Sequence, residues 1–148
     1  TVFRMSVNPP EIIRGIEIGT SPLAARIRAL NAMCEAGYPV GLLIAPVILL
    51  PEWRQLYHEL IRRLAAELSE KVKSRGFIEI ILMTYSFVQH AINSEAFPHL
   101  RQPFDRQLMT GRGRGKYCYR SEARAEAEAF LRRELAAQLG GMPILYIA

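Results

Sequence analysis

The sequence offers little from which a disulfide framework or a membrane span could form. Only two cysteines, Cys34 and Cys118, occur in 148 residues, and this scarcity indicates a reducing compartment. The longest apolar run, from Val40 to Leu50, is interrupted by Pro46 and falls short of the roughly 18 residues that a membrane span needs. No basic and apolar signal segment precedes the first predicted strand. These absences predict a soluble, cytoplasmic protein that does not bind membranes.

Several families of enzyme sites are also missing. The three histidines, His58, His90 and His99, have no zinc-ligand spacing with one another or with the cysteines. The sequence contains no His-Glu-x-x-His, Walker or dinucleotide glycine pattern. Hydrolase and kinase chemistry are therefore not predicted, and no metal ligand is assigned.

The composition is that of one ordinary globular unit spanning residues 1–148. Half of the residues are apolar and 22% are charged, with a net charge of +5. The densest cationic segment runs from Arg112 through Arg114 to Lys116, whereas most other cations share helices with glutamates. This segment is the candidate contact for a polyanion such as nucleic acid, with a solvated basic turn as the alternative.

Apolar periodicity predicts the element order β, α, β, α, β, α, hairpin, α, β. Strands are predicted at 1–8, 40–47, 77–84 and 144–147, and helices beginning at Pro22, Glu52 and Ser86, with a last helix capped by Ser121. The hairpin pairs 107–109 with 116–119 across a glycine-rich turn at 110–115. This order predicts an α/β fold with a mainly parallel sheet.

Two strand-to-helix junctions place candidate site residues at the carboxyl edge of that sheet. Ser6 and Asn8 end the first strand before Pro9, and Ala45 precedes Pro46 at the end of the second. The chain begins inside a strand, and so few parallel strands would leave the open edges that closed barrels avoid. We therefore expect a fragment or one part of a larger barrel.

Four stretches together resemble the C-terminal half of the spore photoproduct lyases, which are radical S-adenosylmethionine enzymes. They read FRMSVNPPEIIRGIEIGTSPLAARIRALNAMCEAGYPVGLLIAPV, EWRQLYHELIRRLAAEL, TYSF and GRGKYCY. The resemblance implies the C-terminal part of a partial (β/α) TIM-like barrel with an added β-hairpin. It also implies a [4Fe-4S] cluster on an N-terminal half, S-adenosylmethionine as cofactor and a thymine dimer in DNA as substrate.

The two cysteines cannot supply the three thiolates of such a cluster. We expect Cys34 and Cys118 to be structural, and the chain to be inactive without the N-terminal half of the same enzyme or a partner chain. By the resemblance, Ser6 approaches the amino-acid end of S-adenosylmethionine, Ala45 passes the same cofactor, and Asn8 positions the loop. The alternative is that Ser6 caps a turn and Ala45 packs in the core.

The hairpin at 106–120 is the expected DNA contact by the same resemblance. Arg112, Arg114 and Lys116 would bind phosphates, and Tyr117 would lie near the strand. The family hairpin reads Gly-Arg-Tyr-Gly where this chain has no aromatic residue, so the wedge for prying bases apart is absent.

A second departure lies at Tyr85-Ser86-Phe87, where the family commonly has His-Arg-Phe. Ser86 cannot make the bidentate contact of an arginine with phosphate. Tyr85 is the candidate catalytic residue, as a hydrogen-atom relay, and its alternative is a partly buried ring with a satisfied hydroxyl.

Three functions remain open from the sequence. The first is the C-terminal part of a spore photoproduct lyase-like DNA repair enzyme. The others are a non-catalytic nucleic-acid-binding module derived from that family, and a divergent radical S-adenosylmethionine enzyme with another substrate. An upstream Cys-x-x-x-Cys-x-x-Cys in the same gene or on a partner chain would separate the catalytic functions from the binding module.

Overall fold

Seven strands and six helices follow one another in the computed structural model, which describes residues 1–148. The strands are β1 (Phe3–Val7), β2 (Val40–Val47), β3 (Phe77–Leu82), β4 (Thr84–Ser86), β5 (Met109–Gly113), β6 (Lys116–Tyr119) and β7 (Ile144–Ile147). The helices are α1 (Pro10–Gly15), α2 (Leu23–Glu35), α3 (Trp53–Glu67), α4 (Glu70–Arg75), α5 (Phe87–Ala96) and α6 (Ser121–Gln138). No helix combines the length and the apolar character needed to cross a bilayer.

Four parallel strands form the main sheet in the order β1-β2-β3-β7, as the predicted βα alternation requires. Side chains alternate between its two faces. One face is apolar and buried at its centre, and α2 packs against its β1 and β2 strands. Its central residues are Val7, Leu42, Ile44, Ile78 and Ile80. This face is the core of the protein.

The opposite face of the main sheet carries no helix and includes a charged pair. The Arg4 Nε atom lies 2.9 Å from Glu79 Oε2, and the guanidinium lies 5.3 Å from the ring centroid of Phe77. Gly41 permits this stacking, because a Cβ atom there would lie 2.3 Å from the Phe77 ring. The face is therefore organised by polar and aromatic contacts on its own strands.

Both outer strands of the main sheet, β1 and β7, have one unpaired edge. The Phe3 amide donates to the Pro39 carbonyl at 2.9 Å, so the odd-numbered residues of β1 direct their backbone groups toward β2. The backbone groups of Arg4 and Ser6 consequently point toward the open edge. Open edges of this kind are templates for pairing with a further strand.

A second, antiparallel sheet has the order β4-β6-β5. The single strand predicted at 77–84 is divided: β3 ends at Leu82, and β4 leaves the main sheet to pair with the hairpin. The predicted hairpin is present, with its first strand beginning at Met109 instead of Gln107. Its tip has positive φ angles at Gly113 (86°), Arg114 (54°) and Gly115 (70°). Glycine tolerates this conformation and arginine rarely adopts it.

Helix boundaries differ from prediction in small ways. Ser86 precedes α5 as its N-cap and accepts a hydrogen bond from the Gln89 amide at 3.0 Å. The N-cap of α6 is Arg120, so Ser121 is the first helical residue and not the cap. Two short helices, α1 and α4, are absent as separate elements from the predicted order. The apolar stripe of α3 is confirmed, with its Trp53 ring edge-on to Phe130 at 5.0 Å.

Two tyrosine hydroxyls fix the loop that follows β2. The Ile48 amide donates to the Tyr57 oxygen at 2.9 Å, and the Leu49 amide donates to the Tyr119 oxygen at 2.8 Å. Tyr57 belongs to α3 and Tyr119 to β6, so the loop joins the main sheet to the hairpin sheet. Burial raises the pKa of both phenols, that of Tyr119 to about 12.

Replacing Tyr119 with phenylalanine should reduce the loss of stability at alkaline pH. The folded state retains the Tyr119 proton up to about pH 12, whereas the unfolded chain releases it from its ordinary pKa of 10.0, so the free energy of unfolding falls between these values. A shift of this size corresponds to about 2 to 3 kcal/mol. At neutral pH the variant should instead lose about 1 kcal/mol, because the Leu49 amide has lost its acceptor.

Urea denaturation from neutral pH to about pH 12 measures both effects. Tyr38→Phe is the control, since this ring is 44% exposed. If Tyr119→Phe and the control follow the same alkaline curve as the unmodified chain, the buried hydroxyl does not contribute as described.

Candidate functional site

The carboxyl ends of β1 and β2 bring together the three residues expected at the cofactor. Ser6 pairs in register with Leu43, two positions before Ala45. The Asn8 side-chain nitrogen lies 3.3 Å from the Ala45 carbonyl and 3.0 Å from that of Pro46. Ser6, Asn8 and Ala45 therefore belong to one continuous edge of the main sheet.

Asn8 is wholly buried, and its carboxamide is fully engaged with protein atoms. Its Nδ2 also donates to Glu17 Oε1 at 2.7 Å, and its Oδ1 accepts from the Tyr57 hydroxyl at 3.0 Å. Nδ2 thus has three acceptors within reach for its two protons. This side chain holds the two strand ends in place and has no free group to offer a ligand.

Ser6 and Ala45 lie on the face of the sheet that carries no helix. The half-buried Ser6 accepts hydrogen bonds from Arg26 Nη1 at its carbonyl (3.2 Å) and at Oγ (3.5 Å), which leaves the hydroxyl proton free to donate. The Ala45 side chain is 9% exposed. A hydroxyl donor beside a small apolar side chain can accommodate a polar, zwitterionic group without a clash.

Sequence reasoning missed three residues at this edge, Glu17, Arg26 and Tyr57. A signal for one of them was present, since Arg26 occupies an inward position of α2 beside Leu23 and Ile27. A charged residue in an apolar helical stripe is costly to bury without a partner. Nothing in the spacing of Glu17 or Tyr57 indicated their shared contact with Asn8.

The hairpin sheet has one apolar and one polar face, because side chains alternate along each strand. Tyr85, Tyr117, Tyr119 and Met109 share the first face. The second carries Thr84, Ser86, Thr110, Arg112, Lys116 and Cys118. An open cavity of about 660 Å³ adjoins the polar face and is lined by Thr84, Ser86, Gln89, Arg112, Arg114 and Lys116, among others. The three cations predicted from the sequence therefore do surround a common space.

The two tyrosines singled out in the sequence are packed against the apolar side. The Tyr85 ring is 8% exposed and stacks on Phe104 with centroids 5.7 Å apart. Its hydroxyl accepts from Asn93 Nδ2 at 3.0 Å. Tyr117 meets the same Phe104 edge-on at 5.1 Å. These contacts are those of structural rings that anchor the hairpin, and a relay role for Tyr85 stays a prediction.

The residues of this chain do not fit an iron-sulfur cluster. Cys34 is buried on α2, and Cys118 lies on β6 in the other sheet. No group of three histidine, cysteine, aspartate or glutamate side chains is arranged to hold a metal ion.

The family model described as spore photoproduct lyase matches residues 1–148, the whole of this chain. The chain belongs to the spore photoproduct lyase family. Among curated relatives, the spore photoproduct lyase of Bacillus subtilis is 32% identical over 126 residues, which cover 82% of this chain and 37% of the relative. That of Clostridium acetobutylicum is 29% identical over 99% of this chain and 44% of its own length.

Solved structures of spore photoproduct lyase give the same result for the fold. A double mutant with bound AdoMet and dinucleoside spore photoproduct superimposes on this chain with a TM-score of 0.91 and 29% identity. The match covers 100% of this chain and 45% of that protein. A complex with dinucleoside spore photoproduct gives a TM-score of 0.90 with the same coverage. This chain thus spans less than half the length of the relatives it matches.

Proposed function

We propose that this chain is the C-terminal half of a radical S-adenosylmethionine lyase that reverses a thymine dimer in DNA. The observation that carries the proposal is the family match over residues 1–148. It is combined with the placement of Ser6 and Ala45 together at the carboxyl ends of β1 and β2. A double mutant of a structurally similar spore photoproduct lyase holds both AdoMet and a dinucleoside spore photoproduct, which supports the same ligands here.

In this proposal the main sheet is one side of a partial (β/α) barrel. Its unpaired β1 edge and its uncovered face would be completed by a half that carries the [4Fe-4S] cluster, because this chain has no ligand set for one. Such a cluster, with S-adenosylmethionine, would supply the radical chemistry of the reaction. The contribution of this chain is to bind and orient the cofactor.

Ser6 and Ala45 are the proposed cofactor contacts. The Ser6 hydroxyl donates to the amino-acid end of S-adenosylmethionine. The small side chain of Ala45 allows the Ala45 backbone to approach the same molecule. Asn8 acts indirectly by fixing both strand ends, since its own amide is already satisfied.

The hairpin at 106–120 is the proposed DNA contact. Arg112, Arg114 and Lys116 are exposed beside one cavity, so the three can neutralise neighbouring phosphates. Tyr117 supports the hairpin from its apolar side through Phe104. Threonine and serine hydroxyls on the polar face are further phosphate donors.

The residues of this chain support the class of reaction more strongly than the identity of the DNA lesion. The hairpin tip has no aromatic wedge, and Ser86 caps α5 where the family commonly has an arginine. These two differences favour, as the second candidate, a radical S-adenosylmethionine enzyme with a different substrate. A nucleic-acid-binding module without catalysis is the third, because the chain itself lacks cluster ligands.

Replacing Ser6 with alanine should lower cofactor cleavage in the complete, cluster-reconstituted protein that contains this chain. Loss of one hydrogen bond to a charged group predicts a fall of roughly tenfold. The measurement is release of 5′-deoxyadenosine, followed by repair of irradiated DNA. Ser74→Ala is the control, because this hydroxyl lies on α4 and bonds only to the Lys71 carbonyl.

The wild-type result separates the three candidates. Cleavage with repair supports the lyase, cleavage without repair supports another substrate, and no cleavage supports the binding module. Undiminished cleavage by Ser6→Ala would remove Ser6 from the cofactor site.

The double variant Arg112→Ala, Arg114→Ala should weaken binding to duplex DNA and reduce its dependence on salt. Loss of two phosphate contacts lowers the slope of log affinity against log salt by about 2. Fluorescence anisotropy over a salt series measures both quantities. Arg132→Ala with Arg133→Ala removes the same charge from the exposed side of α6 and should leave the slope unchanged. If the two double variants behave alike, the hairpin is not the DNA contact.

A further inference from the structure

Arg26 is buried on α2, with only 4% of its side chain exposed, at the edge where β1 ends. Its guanidinium makes contacts with four residues of β1 and the loop before α2. Nε donates to the Ser21 carbonyl (2.8 Å), Nη1 to the carbonyl and Oγ of Ser6 (3.2 and 3.5 Å), and Nη2 to Glu17 Oε2 (2.8 Å) and Thr20 Oγ1 (2.7 Å). All three guanidinium nitrogens are therefore used.

Glu17 extends this contact to the neighbouring strand. One carboxylate oxygen binds Arg26, and the other accepts from Asn8 Nδ2 at 2.7 Å. Asn8 in turn donates to the carbonyls of Ala45 and Pro46 at the end of β2. A continuous series of hydrogen bonds thus runs from the Ser6 hydroxyl to the backbone at Ala45.

Core packing alone does not require such a network. A buried ion pair is commonly no more stabilising than apolar residues of similar volume, because both charges must leave water. The network ends at the two residues assigned to the cofactor, and it occupies the Ser6 oxygen with a donor. The Ser6 proton remains available for another acceptor, and the Ser6 side chain lies on the uncovered face of the sheet.

We propose that the Glu17 and Arg26 pair is the positioning element of the cofactor edge. Arg26 orients the Ser6 hydroxyl so that it donates to the carboxylate at the amino-acid end of the cofactor. Glu17 connects Arg26, through Asn8, to the end of β2. The inference rests on the proposed function, and it concerns how this chain selects the carboxylate of its ligand.

Binding in the complete, cluster-reconstituted protein tests the proposal with two probes. One is S-adenosylhomocysteine, and the other is its decarboxylated analogue. Arg26→Gln should weaken S-adenosylhomocysteine binding by roughly tenfold, the effect of losing about one charge-assisted hydrogen bond, and leave the analogue within about twofold. Calorimetry measures both affinities without any turnover.

Arg4→Gln is the matched control. Arg4 lies on the same strand as Ser6 and is also paired with a glutamate, Glu79, but at the other end of β1. This variant should bind both probes as the unmodified protein does. Adding Ser6→Ala to Arg26→Gln should produce no further loss, because the two residues act on one hydrogen bond.

Equal losses for both probes in Arg26→Gln, or equal losses in Arg26→Gln and Arg4→Gln, would overturn the proposal. If Arg26→Gln does not fold, the isosteric Glu17→Gln decides by the same comparison of probes. Failure of the unmodified protein to bind either probe would instead refute the proposed function.

Discussion

The buried carboxamide of Asn8 holds the ends of β1 and β2 at a fixed distance. Its nitrogen lies within hydrogen-bond distance of a carboxylate and two backbone carbonyls, its oxygen accepts from a phenol, and Asn8 itself has no exposed surface. Groups buried in this way must stay paired, because each loss leaves a desolvated partner. The rest of the candidate site depends on this arrangement: Asn8 is linked through Glu17 to Arg26, which binds Ser6, and the loop at Ile48 is fixed through Tyr57.

The two sheets provide different parts of the candidate site. The main sheet supplies the edge with Ser6 and Ala45, and the hairpin sheet supplies the cations beside an open cavity. Tyr119 connects them, because its strand belongs to the hairpin and its hydroxyl holds the loop after β2. Tyr85 and Tyr117 pack on Phe104 and hold the hairpin sheet by its apolar face, so its polar face stays exposed.

Much of this fold follows from the sequence, and the parts that do not have physical reasons. The parallel strands and the stripe of α3 were predictable, because apolar spacing distinguishes a buried strand from an amphipathic helix. The division of 77–84 between two sheets was not, since strands of either sheet share one period and only Met83 separates β3 from β4. The positions of Ser6 and Ala45 followed from strand ends, whereas the Glu17 and Arg26 contact joins residues whose proximity only the tertiary structure sets. The sequence could not predict that the Tyr117 ring lies on the apolar face of the hairpin sheet. That position depends on the pairing register, because a shift of one residue moves every side chain to the opposite face.

The central proposal is that β1, an outer strand here, becomes an internal strand of a barrel that this chain only partly supplies. Residue-resolved amide hydrogen exchange tests it at Arg4 and Ser6, whose backbone groups face the open edge, with Phe3 and Met5 as internal references paired to β2. The account predicts fast exchange at Arg4 and Ser6 in this chain alone and strong protection in the complete, cluster-bearing protein. Equal exchange at these two amides in both samples would contradict it.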